Sequence, residues 1–320
     1  MIKFSIVITY LKEGSPEVLE SINKMDYPKN YEILCLPGPG SPSIYRNKGA
    51  DIGKGEIIAF IDDDAMVHKD LLKNAEKFFN EHSDIDIVGG PQLTPLAEEG
   101  FARISGYSLA SKFGGWSTSN RYGIKKLNLN ADDTYLTTAI MFCRKKVFEK
   151  VRFDENLFPG EDSKFVIEAK KAGFKVAYSP DMIVYHKRRP TLKKFVKQIF
   201  NYGKVAQTRL SFFDIFKQPF FFIPSLFLIY SIELFFIAVM KPSIFANFFG
   251  ILFGDFKFSA IIFAPLLLYI SLNLLFSSYE SIKNKDARGI FFLPFIFTIL
   301  HLSYGAGLIW GFMIKKFKKE

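Results

Sequence analysis

Apolar residues follow two regimes along this chain. Up to about Leu210 they form short blocks separated by polar, Gly- and Pro-containing stretches; beyond it Phe, Leu and Ile dominate. In the first regime, Lys3–Tyr10 (KFSIVITY) and Tyr31–Leu36 predict strands, and Val18, Leu19, Ile22 and Met25 give a helix after Ser15-Pro16 its apolar face. Ser43–Gly53 predicts a further helix. The run Ile57, Ile58, Ala59, Phe60, Ile61 does not alternate, which marks a strand buried on both faces of a parallel sheet. Leu71, Leu72, Ala75, Phe78 and Phe79 predict an amphipathic helix, and Ile85–Val88 and Thr137–Arg144 two strands. Phe165, Val166, Ile167 and Ala169 mark a helix after Gly160, and Lys175–Tyr178 and Met182–His186 two short strands. This alternation predicts an α/β fold, a mostly parallel sheet with helices on both faces. Pro91–Asp133 is less regular and is expected to be a long connection suited to a second substrate.

In the second regime, residues 219–240, 258–279 and 289–314 are each long and apolar enough to cross a bilayer at about 1.5 Å per residue. Glu233 is the one charge inside the first of them. Ser243–Gly254 is apolar but too short, and is expected to be re-entrant or interfacial. Thr191–Leu210 sets Phe195, Ile199, Tyr202, Ala206 and Leu210 against a cationic face, the pattern of a basic helix at a membrane interface. The chain thus divides into 1–190, 191–214 and 215–320. Three spans from a cytoplasmic first domain put Lys283, Lys285 and Arg288 inside, as the positive-inside rule prefers, and the C-terminal lysines outside, against it.

Charge and cysteine content sharpen this. The 320 residues carry a net charge of +10, concentrated between Lys187 and Arg209, with no carboxylate between Asp181 and Asp214, and again at Lys315–Lys319. Both clusters flank apolar segments, so membrane lipids are the expected partner and nucleic acid is not. Cys35 and Cys143 lie in strand-like runs and are expected to be buried thiols in a reducing compartment. No signal peptide is evident in MIKFSIVITYL, so the first domain is expected in the cytoplasm.

Candidate chemistry starts at Asp62, Asp63 and Asp64, directly after the buried strand, where open α/β sheets place ligands. Three adjacent carboxylates call for a cation; Mg²⁺ or Mn²⁺ suits carboxylate oxygens and can bridge to phosphates, and a solvated acidic turn is the alternative. Glu161 and Asp162 precede a helix, where Asp162 could serve as a cap. His186 ends a short strand before the basic run.

Four segments, SIVITYLKE (Ser5–Glu13), RNKGADIGKGEIIAFIDDDA (Arg46–Ala65), FDENLFPGEDSKF (Phe153–Phe165) and AGFKVAYSPDMIVYHKRRP (Ala172–Pro190), occur in an order and spacing that resembles glycosyltransferase family 2 enzymes of GT-A fold. The likeness covers roughly Ile2–Gln207 and is greatest to membrane-anchored bacterial and archaeal members, including the succinoglycan-biosynthesis type. It implies that Asp62 contacts the donor nucleotide, that Asp63 lies beside it, and that Asp64 binds the metal on the donor diphosphate. It further implies that Thr9, Tyr10 and Glu13 hold the nucleoside and that Arg46 lies beside the donor phosphate. Asp162, of the Glu161-Asp162 pair, becomes the catalytic base, His186 a further metal or diphosphate contact, and Lys187, Arg188 and Arg189 neutralise phosphate charge. The implied activity is inverting, metal-dependent transfer of one sugar from a nucleotide-sugar donor to a lipid-linked glycan acceptor at the cytoplasmic membrane face. Polyprenyl-phosphate glycosyl transfer and a non-catalytic scaffold are the rival readings. The second strand ends Leu36-Pro37-Gly38 where the family commonly has an aspartate, so a UDP-sugar is only the first expectation for the donor. A QxxRW motif of processive synthases is absent, which favours single addition.

Overall fold

The computed structural model describes residues 2–10, 16–28, 30–208, 213, 216, 218–241 and 259–317, in two compact units, Met1–Arg188 and Arg189–Glu320. Glu13, the Ser243–Gly254 segment, Lys318 and Lys319 lie outside the described residues.

The first unit is built on a six-stranded sheet. Its strands are β1 (Phe4–Tyr10), β2 (Tyr31–Pro37), β3 (Ile57–Ile61), β5 (Ile87–Gly89), β7 (Ile140–Arg144) and β8 (Val176–Tyr178), in the order β2-β1-β3-β7-β5-β8. A smaller sheet, β4-β9-β6, joins β4 (Ala65–Val67), β9 (Val184–His186) and β6 (Gln92–Leu93). The β3 side chains divide by the period-two rule. Ile57, Ala59 and Ile61 face a core shared with α1 (Val18–Ile22) and α3 (Leu71–Glu81). Ile58 and Phe60 face another, shared with α2 (Pro42–Ile52) and α6 (Glu161–Lys171). All five are buried, as a strand covered on both faces requires.

The sheet is mostly parallel, as expected, with β7 at 140–144 running antiparallel to both of its neighbours, β3 and β5. Two expectations needed correction. The first helix stops at Ile22, and Met25 packs against the core from the following turn. The 91–133 stretch holds β6, a helix α4 (Gly100–Ala110), a short α5 (Lys112–Gly115) and a 3₁₀ segment at Trp116–Tyr122. Its helix buries Ser105, Gly106 and Ser108, small residues that let it approach β6 closely; a Cβ on Gly106 would collide with the Thr94 hydroxyl. Cys35 and Cys143 are free thiols, half-buried and buried, and burial raises the pKa of both.

The second unit contains α7 (Leu192–Ala206), α8 (Ile223–Met240), α9 (Ser259–Lys283) and α10 (Arg288–Phe317). Among the described residues, α8, α9 and α10 are long and apolar enough to cross a membrane. The apolar face of α7 is covered: Phe195, Ile199, Gly203 and Ala206 are buried, and Ala206 packs with Leu308 of α10. Asn273 of α9 donates to the Pro294 carbonyl (3.0 Å) and to Thr298 Oγ1 (3.2 Å) of α10, a polar seam between two apolar helices.

In the first unit, α2 closes on β1 at Gly49, where a Cβ would collide with the Val7 side chain. Gly49→Val is therefore expected to cost about 1–3 kcal/mol by overpacking. The measurement is denaturant unfolding of the full chain in detergent; an unchanged midpoint would mean that this approach is not a constraint.

Candidate active site

The residues that carry chemistry gather at the C-terminal ends of β1 and β3 because three short segments converge there. The first is one stretch of α2. Its N-terminus is set by Pro42 at the first turn and by Ser41, whose hydroxyl accepts from the Ser43 N–H. Arg46, Asn47 and Gly49 then leave the helix in three directions. Arg46 Nη1 donates to Glu161 Oε1 at 2.6 Å and Nη2 to Asp62 Oδ1 at 3.4 Å. Asn47 Nδ2 donates to the Phe153 carbonyl and to Glu155, and its oxygen accepts from the Phe153 N–H, all at 3.0 Å. These bonds fix the loop that leads into α6. Gly49 faces β1.

The second segment is the turn after β3. Asp62 and Asp64 are partly exposed, and β4 follows at once. Strand β9 lies antiparallel to β4 with His186 opposite Ala65, which swings the imidazole over the aspartates. His186 Nε2 lies 3.1 Å from Asp64 Oδ1 and 3.6 Å from Asp62 Oδ2, while Nδ1 is 3.0 Å from the Lys187 carbonyl. Burial works against charge on His186, but hydrogen bonds to Asp62 and Asp64, reinforced by their charges, raise its pKa to about 9.

The third segment is the start of α6. Gly160, at φ 103°, takes the left-handed conformation that glycine tolerates best. Glu161 and Asp162 occupy the first turn, where the helix dipole favours negative charge. Asp162 Oδ1 accepts from the Ser163 N–H at 2.7 Å. Glu161 is buried, and burial together with the charge of Asp162 outweighs the pull of Arg46, raising its pKa to about 7.

Asp62, Asp64 and His186 each offer a ligand atom, all within 4.8 Å of one another. Two carboxylates and an imidazole held by a second hydrogen bond on its far nitrogen form a donor set compatible with a divalent cation. Asp63 is not part of this set; its backbone carbonyl accepts from the Val18 N–H and anchors α1. Thr9 and Tyr10 end β1, half-buried, opposite Leu36 and Pro37 of β2. No carboxylate ends β2; the Tyr45 ring covers Gly38, and its hydroxyl donates to the Pro39 carbonyl at 3.1 Å. Arg189 is exposed and belongs to the second unit. Its neighbour Arg188 is the buried one, donating to the Gln92 carbonyl and, at 3.0 Å, to Thr94 Oγ1, and lying 4.9 Å from the Tyr122 ring centroid. Lys187 pairs with Glu17 at 2.5 Å. Two contributions escaped the sequence reading. One is Asn47, visible only as the residue after Arg46 in the Arg46–Ala65 segment. The other is Arg121, which donates to the Asp133 carbonyl and to Ser163 Oγ (2.9 Å), tying the 116–133 stretch to α6.

A mixed α/β sheet with this acidic cluster at its edge, followed by apolar helices, defines a GT-A domain with a candidate membrane anchor. The chain belongs to the glycosyltransferase like family 2, whose model matches residues 4–201. It is 31% identical over 168 residues to the minor teichoic acid biosynthesis protein GgaB of Bacillus subtilis, covering 51% of this chain and 17% of that protein. It is 26% identical over 252 residues to a Methanococcus voltae dolichyl N-acetyl-alpha-D-glucosaminyl phosphate 3-beta-D-2,3-diacetamido-2,3-dideoxy-beta-D-glucuronosyltransferase, covering 66% and 75%. Among solved structures, the mannosyltransferase PcManGT from Pyrobaculum calidifontis, in complex with GDP-Man and Mn²⁺, superposes with a TM-score of 0.56 at 11% identity, covering 98% of this chain and 88% of that one. The chain thus spans a small part of the first relative and most of the others.

The raised Glu161 pKa fixes the sign of a pH effect. A carboxyl whose folded pKa lies above its unfolded value binds more protons in the folded state, so its ionisation lowers stability as pH rises from about 4.5 to about 7. Glu161→Gln lacks this penalty. The gap in melting temperature between wild type and the variant, in detergent, is expected to shift in favour of the variant between pH 5 and pH 8. A shift the other way would mean that Arg46 dominates.

Proposed function

We propose that this protein is an inverting glycosyltransferase that moves one sugar from a nucleotide-sugar donor, first of all a UDP-sugar, to a lipid-linked glycan acceptor at the cytoplasmic face of a membrane. The observation that carries this reading is the linkage, through one buried arginine, of the Asp62–Asp64–His186 cluster to the Glu161-Asp162 pair. Asp62, Asp64 and His186 would hold a Mg²⁺ or Mn²⁺ ion, which as a Lewis acid offsets the charge of a departing diphosphate. Asp162 accepts the proton of the acceptor hydroxyl as that oxygen attacks the anomeric carbon. Its bond from the Ser163 N–H at the start of α6 holds it in orientation for that task. Attack from the side opposite the leaving group inverts the anomeric centre. Glu161 is committed to Arg46, which leaves it a positioning part. Thr9 and Tyr10 line the β1 edge proposed for the nucleoside, which Glu13 is proposed to hold with them, and Arg189 is proposed to meet phosphate charge. The name of the Methanococcus relative includes a dolichyl phosphate, which supports a lipid-linked acceptor.

The test is transfer in native membranes from a panel of nucleotide sugars, with Mg²⁺, Mn²⁺ or chelator. One donor is expected to be consumed only with metal. Asp162→Asn is expected to lower transfer by roughly 10²–10⁴-fold while nucleotide still binds. Asp64→Asn is expected to raise the metal concentration needed. Transfer that is indifferent to both chelator and Asp162→Asn would overturn the mechanism; metal-dependent nucleotide binding with no turnover of any donor would favour a non-catalytic scaffold.

A further inference from the structure

The 116–122 segment opens on a residue whose backbone conformation does not suit its side chain. Trp116 stands at φ 45°, ψ −121°, one of two non-glycine residues with positive φ among the described residues. This is the conformation of the second residue of a type II′ turn, a place that glycine ordinarily fills. A bulky side chain there is strained. The glycine just before it cannot be exchanged for it, because a Cβ on Gly115 would press on the Leu109 carbonyl.

The surroundings hold this turn firmly. The Gly115 N–H donates to the Ser111 carbonyl at 2.9 Å, and the Thr118 hydroxyl to the Gly115 carbonyl at 2.7 Å. The Ser119 hydroxyl donates to the Trp116 carbonyl itself at 2.6 Å. At its far end the segment is tied to α6, where Arg121 Nη2 donates to Ser163 Oγ at 2.9 Å. The N–H of that same serine donates to Asp162. At about 2 Å per residue of 3₁₀ helix, Trp116 lies about 10 Å along the segment from Arg121.

Core packing does not account for the strain. Trp116 is 46% exposed, the one exposed large apolar side chain between Leu96 and Ile124. The five residues after it are polar: Ser117, Thr118, Asn120 and Arg121 are half-buried and Ser119 is buried. A tryptophan that enters a membrane interface belongs to a surface with further apolar side chains. An indole edged by hydroxyl, amide and guanidinium groups fits a pyranose ring instead. The C–H face of the sugar packs on the aromatic face, and the hydroxyls at its rim need donors and acceptors of this kind.

We propose that Trp116 is a stacking platform for a hexopyranose ring of the acceptor glycan, with Ser117, Asn120 and Arg121 beside it to meet the ring's hydroxyls. This rests on the reading of the chain as a transferase acting on a glycan acceptor. It adds that the acceptor is recognised by a sugar ring at a fixed reach from Asp162, because Arg121 ties the segment to the first turn of α6.

The chain has two tryptophans, so Trp310→Phe leaves Trp116 as the sole indole fluorophore. The full-length variant in nanodiscs is titrated with the methyl glycosides of glucose, galactose, mannose and N-acetylglucosamine. At least one is expected to change the Trp116 emission saturably and to protect it from acrylamide. No response to any of the four overturns the proposal. Strong quenching by lipids with brominated acyl chains also overturns it, in favour of a membrane contact. Saturation-transfer NMR then compares the responding glycoside on wild type and variants. Trp116→Ala is expected to weaken its binding at least about tenfold and Trp116→Tyr to retain most of it; equal binding to wild type and Trp116→Ala overturns the proposal. A wild type that consumes no donor but still responds to a glycoside sinks the transferase reading and leaves the platform standing. A chain that transfers sugar yet shows no response sinks the platform alone.

Discussion

The guanidinium of Arg46 is the constraint on which the candidate site depends. It is 6% exposed, bonded to Glu161 and reaching Asp62, and so joins α2, the end of β3 and the start of α6. Removing one member of such a buried pair leaves a charge without a counterpart, a loss of about 3–5 kcal/mol. Its cost in desolvation is the reason for its specificity: no other cation among the described residues reaches both acids. Asn47 and Gly49, within the same turn of helix, fix the 153–160 loop and the distance to β1. A single helical turn thereby sets the positions of both acidic groups.

The second acidic group depends on a different device. His186 reaches Asp62 and Asp64 only because β9 pairs with β4, a three-residue strand that begins one residue after the aspartates. The resulting cluster is bistable in charge. Without a metal, a protonated imidazole supplies the cation that the two carboxylates require, and its pKa of about 9 expresses that demand. A divalent ion held by the same nitrogen would have to displace that proton, so metal binding and proton release would be coupled.

Much of this was legible in the residues. The non-alternating run at 57–61 gave a doubly buried strand, and the aspartates after it fell at the expected edge. The three apolar helices were visible from length alone. Strand direction was not: an apolar block such as Ile140–Arg144 has the same pattern in either sense, and only its neighbours decide that it runs antiparallel. Of the small sheet, β9 was expected within Met182–His186, but β4 and β6 were missed because two- and three-residue strands carry no periodicity. Helix α4 was missed because Ser105, Gly106 and Ser108 interrupt its buried Ile104, Tyr107 and Leu109, and such small polar positions read as a loop until a close neighbour such as Thr94 explains them. Of the basic run, sequence could not say that Arg188 turns inward to Gln92 and Tyr122 while Arg189 stays exposed.

The second unit follows another logic: in a bilayer, apolar side chains would gain little by leaving lipid for one another. Its helices carry contacts that lipid could not supply. Glycines at 203, 305, 307 and 311 bring backbones together, and the Pro294 carbonyl accepts from Asn273 and Thr298. Tyr269 adds a 3.0 Å bond to His301. These contacts all involve α10, which packs against α7, α8 and α9 in turn. Glu233, on α8, is exposed and stands outside this network. The amphipathic pattern of α7 announced an apolar face seeking cover, but not which surface covers it. The answer lies in the glycines of α10, whose spacing matches the closest approach of α7 and is hard to account for in a helix that meets lipid alone.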